Sequence, residues 1–150
     1  MTTKKKYYFL IPFLLFTTFA FGQTKLPPMA MPSDSNVILV DKIIEVTKHE
    51  NYFFEYCTNK VKKYSKENNW IQEKTSQILE SIKFENYNST IYNSYAFYSI
   101  DQLKSLLETM TFLNKDKKGN MEMVLTNSMM QSNLDLFVDG VIKGKYITTK

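Results

Sequence analysis

The residues with the most reactive side chains are few. His49 is the single histidine and Cys57 the single cysteine. A thiolate–imidazole pair needs the two within hydrogen-bond reach, but eight residues on one helix separate them by ~12 Å of axial rise. On one helix, Cys57 therefore reads as a small packed hydrophobe rather than a nucleophile. Asp41, Glu45 and His49 fall at i, i+4 and i+8, two carboxylates and an imidazole along one helical face. Such a face can offer a neighbouring pair to a divalent cation, but its two ends lie ~12 Å apart and cannot share one ion. The expectation is a solvated polar stripe.

Two further motifs fail on their chemistry. Asn114-x-Asp116-x-Lys118-Gly119 has the outline of a calcium loop. Its fifth position is the cation Lys118, and its twelfth is Leu125 where a bidentate carboxylate belongs, so calcium is rejected. Asn88-Ser89-Thr90 matches a glycosylation sequon, which acts only in a eukaryotic-type secretory route. Neither a catalytic nor a metal site is assigned, and no cofactor is expected.

The unusual feature is aromatic. Tyr52, Phe53, Phe54 and Tyr56 crowd one segment, and Tyr87, Tyr92, Tyr95, Phe97 and Tyr98 another. They span too much of a helical circumference to face inward together. Most belong to a Tyr-rich core, and Tyr52, Phe54, Tyr56, Tyr92 and Phe97 are the candidates for an interaction surface, where tyrosine is enriched.

The elements that must position these residues read as helices. After Pro32 no proline follows, and the only glycines are Gly119, Gly140 and Gly144. A sandwich of short strands needs turn residues far more often. The expected fold is all-α, a small bundle of about four to five helices. Ser35 or Asn36 is expected to cap the first helix, with Val37, Val40, Ile44 and Thr47 as its stripe. A second helix runs from Asn51 through Tyr64, ending at Lys66–Asn69. A third starts near Trp70 and continues, kinked around the asparagines, to Tyr98. Ser99-Ile100-Asp101-Gln102 is a capping box, opening a helix with Leu103, Leu106, Leu107 and Met110 inward. The last helix carries Met121, Val124, Leu125, Met129 and Leu136, ends at the Asp139-Gly140 glycine, and is followed by a loose tail.

The first segment is an address. Lys4, Lys5 and Lys6 precede the 15-residue apolar run Tyr7–Phe21, and Ala20-Phe21-Gly22 offers small residues for cleavage before Gln23. The run is shorter than the ~20 residues a bilayer span requires, and Pro12 interrupts it. The expected organisation is a signal peptide at 1–22, a flexible lead-in at 23–34, a helical domain at 35–142 and a tail at 143–150. Membrane contact is expected only through the signal before cleavage, leaving a soluble periplasmic or secreted chain. Three of the 19 lysines leave with the signal, so residues 23–150 carry 16 lysines against 15 acids, a net charge of +1. With no arginine and little excess charge, nucleic acid is a poor partner.

Tyr95-Ala96-Phe97-Tyr98-Ser99-Ile100-Asp101-Gln102-Leu103, continued by Leu106 and Leu107, places an aromatic-rich helix before a serine cap and a leucine-rich helix. From Tyr92 to about Asp139 this resembles the exported bacterial helical family called domain of unknown function 2059. That family follows the leucine-rich helix with an aromatic pair and a Ser-Pro-x-Gly turn. Here the corresponding stretch, Thr109 to Leu113, has no proline, and the glycine is delayed to Gly119. The resemblance implies a periplasmic α-helical domain without an assigned activity and carries over no functional residues.

Together these readings point to an exported, non-enzymatic helical binding or accessory domain of the bacterial cell envelope, meeting a protein or an apolar ligand. The alternative is an exported hydrolase using carboxylates such as Glu45 or Glu50 with His49.

Overall fold

The protein is described by a computed structural model covering residues 30–117 and 123–147. Among these residues there are six α-helices, one 3₁₀ turn and no strand. The helices are α1 (Asp34–Val46), α2 (His49–Glu67), α3 (Gln72–Glu80), α4 (Asn88–Ser94), α5 (Ile100–Asn114) and α6 (Ser128–Ile142), with the 3₁₀ turn at Phe84–Asn86. The all-α bundle expected from the sequence is present. The signal segment and Met121 lie outside the described residues.

Several boundaries differ, each for a local reason. The residue capping α1 is Ser33, not Ser35 or Asn36. Asn36 is instead buried and donates its side-chain amide to the Tyr98 carbonyl at 2.9 Å. Pro32, placed in the flexible lead-in, is buried. The long third helix is three pieces, α3, the 3₁₀ turn and α4. Ser81 ends α3 by turning its hydroxyl onto the Ile78 carbonyl, a local bond that competes with helix continuation. The last helix begins at Ser128, where the Asn127 side chain accepts from the Met130 amide at 2.8 Å. Val124 and Leu125 precede it in non-helical chain.

Four described residues in the left-handed region follow helix ends; besides Asp116 (φ 60°) after α5, three are instructive. Asn69 (φ 50°) follows α2, with the Trp70 amide bonded to the Ser65 carbonyl and the Asn69 amide to that of Lys66. This is a Schellman motif, and the Trp70 ring closes edge-on against Tyr64 at 5.2 Å. Gly144 (φ 81°) ends α6 in the same way, through Lys145 to Gly140 and Gly144 to Val141. The glycine stop expected at Gly140 therefore falls four residues later, and Gly140 lies within the helix. The tail is not loose over its described part, because Tyr146 stacks on Phe137 at 5.1 Å. The third case is Lys48 (φ 46°), which ends α1 and starts α2 with no glycine to announce it.

One core joins all of this. Val40, Ile43, Phe53, Cys57, Val61, Ile78, Ile91, Tyr95, Leu103, Leu134 and Val138 are buried in a single cluster. Phe53 is its hub, with ring contacts to Phe84 at 5.4 Å, Tyr87 at 5.2 Å and Phe137 at 5.3 Å. Helix α5 packs chiefly on α1. Asn36 bonds to Tyr98 at one end of this pair, and the Asn114 side chain bonds to the Val46 carbonyl at the other. Start meets start and end meets end, so α1 and α5 run parallel.

Candidate interaction surface

The five aromatic residues singled out in the sequence divide by what their rings and hydroxyls touch. Tyr52 and Tyr56 lie half-buried on α2 and reach successive turns of α6. The Tyr52 hydroxyl donates to Gln131 Oε1 at 2.9 Å, and that of Tyr56 donates to Asp135 Oδ1. Lys60 Nζ approaches the same carboxylate at 3.3 Å. The hydrogen bond from Tyr56 holds the Asp135 carboxyl below its ordinary range; burial opposes it, and Lys60 adds to the lowering. Tyr92 ties α4 to α1 through Asp41 at 2.5 Å. Burial, and then that bond, pushes its phenol up to about 12. These three tyrosines bind the helices to one another.

Phe54 and Phe97 are left outward. Phe97 is 89% exposed in the turn before α5, and its neighbours Tyr98 and Ile100 are 41% and 42% exposed. Phe54 shows 38% of its surface but keeps an edge-on contact with Phe53 at 5.2 Å. Other outward apolar side chains, among them Ile38, Ile71, Phe112 and Leu136, lie on different helices. Among the described residues, only around Phe97 do three come together in four consecutive residues.

The capping box sets the position of this turn. Gln102 donates its amide to Ser99 Oγ at 3.2 Å, and the Ser99 amide donates to Gln102 Oε1 at 2.8 Å. Tyr98 is further fixed edge-on against Tyr95 at 5.4 Å. Beside it an open cleft of about 470 Å³ runs along α5, lined by Tyr98, Asp101, Gln102, Ser105, Leu106 and Thr109. On the other flank of α5 a second open cleft of about 580 Å³ is lined by Lys42, Glu45, Val46, Lys48, Leu107 and Thr111.

The chemical candidates are dispersed. His49 and Cys57 lie on the same helix, α2, and both are buried. Burial raises the Cys57 thiol to about 12 and lowers the His49 imidazole to about 4. The Asp41–Glu45–His49 stripe does not exist as one face. Lys48 breaks the helix between Glu45 and His49, so the carboxylates stay exposed on α1 while the imidazole turns into the core. Glu50 is exposed as well, and no hydrogen bond joins either glutamate to His49. The geometry needed for carboxylate-assisted general base chemistry is not assembled at His49. Among the described residues, no group of three or more His, Cys, Asp or Glu side chains is placed to hold a metal ion.

Asn114, read in the sequence as the start of a calcium-like loop, has a structural role. Besides the bond to Val46, its side chain donates to the Met123 carbonyl at 2.9 Å and accepts from the Met123 amide at 2.7 Å. Asn88 sits at the first position of α4, half-buried, with Ser89 and Thr90 following in the helix. Among the described residues, no helix is long and apolar enough to cross a membrane. In comparisons with protein families, with curated proteins and with solved structures, no family model, no curated protein and no solved structure matches this chain.

Proposed function

We propose that the chain is an exported, non-enzymatic binding or accessory domain of the bacterial cell envelope, and that it meets its partner through the turn carrying Phe97. The observation that carries the reading is the exposure of Phe97 with Tyr98 and Ile100, on a turn held rigid by a complete capping box. A fixed apolar tip loses little conformational entropy on binding, which favours recognition over mere solvation. The tripartite N-terminal sequence supports export, and the likeness of residues 92–139 to the exported helical family supports an envelope address.

Two measurements test it. Expressed in a bacterial host, the chain is expected in the periplasmic or secreted fraction with Gln23 as its new N-terminus; an unprocessed chain in the cytosol overturns export. A photoreactive side chain at position 97 is expected to crosslink one envelope component that the same probe at exposed Lys62 does not reach. Equal labelling from both positions overturns the assignment of the surface.

A further inference from the structure

We propose that His49 is an acid-operated latch between the α1–α5 pair and the remainder of the bundle. The imidazole is 3% exposed, and its Nε2 has no hydrogen-bond partner. Its ring meets Tyr52 in a T-shaped contact at 5.9 Å, and the Tyr52 hydroxyl is itself engaged by Gln131 on α6. Burial displaces its titration, and among the described residues no hydrogen bond or ion pair joins a charged side chain to the ring. Its charged chain neighbours, Lys48 and Glu50, are exposed. At Nε2 the site leaves a neutral imidazole unpartnered and, among the described residues, offers an imidazolium no hydrogen-bond acceptor there. His49 is also the first residue of α2, where the unpaired backbone amides make a cation less favourable still.

What yields is set by the fold. His49 follows the two-residue junction Thr47-Lys48, and Lys48 is held in the left-handed region. On the far side of that junction, α1 and α5 are joined at both ends through Asn36 and Asn114. Among the described residues, the pair is tied to the rest through the Tyr92 hydroxyl on Asp41, at an exposed site, and through Asn114 on Met123 in the segment leading to α6. A protonated His49 needs water, and rotation at the junction supplies it while leaving the α1–α5 contacts intact. Opening would uncover Val40 and Ile43, which now face the common core.

The direction follows from linkage. The closed form releases its proton at about 4, against 6.5 for an unperturbed imidazole. The open form therefore takes up a proton first as pH falls below about 6.5. The latch is fully closed above that value and progressively lost toward pH 4. The opening equilibrium is expected to rise by up to about 300-fold across this window.

The test uses the full chain. As the only histidine, His49 gives a single imidazole resonance, expected to titrate well below 6.5. Hydrogen exchange corrected for intrinsic rates should show α1 and α5 amides losing protection between pH 6.5 and 4 ahead of those around Val138 in α6. His49→Phe and His49→Gln should both flatten this response. Titration of His49 near 6.5 overturns the proposal, as does a response that survives in either variant or one in which α6 opens in step with α1.

Discussion

At the scale of single residues, burial separates groups that look alike in the sequence. Tyr56 and Tyr87 both use their hydroxyls between helices. Tyr56 meets Asp135 at a wet surface shared with Lys60, where such contacts contribute little. Tyr87 is buried and donates to the Met130 carbonyl at 2.9 Å, where an abandoned partner has no water to turn to. Cys57 gives the sharpest expectation at this scale. Its thiol, fully buried on the inner face of α2, is raised from 9.0 to about 12 by loss of solvation. At pH 8 the folded chain should thus hold about a thousand-fold less thiolate than the unfolded one. Alkylation by iodoacetamide should be slower by at least that factor in buffer than in 6 M guanidinium. Comparable rates would show a thiol that the packing does not protect.

At the scale of elements, stability and legibility both depend on how local a signal is. The Ser99–Gln102 box lies within four residues, was readable from them, and is complete in the structure. Ser99→Ala should cost about 1 kcal/mol in urea unfolding and speed exchange in the first turn of α5. Lys104→Ala, on the exposed face of the same helix, should leave both unchanged. The break at Lys66–Asn69 was readable for the same reason, since asparagine tolerates the left-handed conformation that closes α2. The break at Lys48 was only bracketed, between a first helix reaching Thr47 and a second from Asn51, because nothing in a lysine announces a positive φ. One unmarked residue thereby turned an apparent polar stripe into two separate faces. The aromatic candidates divide for a related reason. Periodicity placed Tyr52, Tyr56 and Tyr92 on helices, but their hydroxyl partners lie 79, 79 and 51 residues away. Only Phe97, which has no hydroxyl to spend on such a partner, combined local prediction with full exposure.

At the scale of the whole molecule, the question is whether six short helices fold as one unit. Among the described residues none carries a disulfide, and Cys57 is free, so cooperativity must come from shared burial. Phe53 is the shared part. Its ring touches the 3₁₀ turn through Phe84, the approach to α4 through Tyr87, and α6 through Phe137, which in turn stacks on Tyr146 after the last helix. Removing it leaves a cavity that three separate segments would have to close together. Phe53→Ala should therefore cost about 3–5 kcal/mol, a large share of the ~5–15 kcal/mol that holds a domain folded. Phe53→Leu, which keeps most of the volume, should cost distinctly less. In the unmodified chain, near-ultraviolet aromatic and far-ultraviolet helical signals should melt together. In Phe53→Ala the aromatic signal should go first, because helix α2 can persist on its own turns after the rings that bind it to α6 have come apart. A loss below about 1 kcal/mol, or coincident melting in that variant, would mean that the α1–α5 layer and the Tyr87 end of the core hold the bundle without their hub.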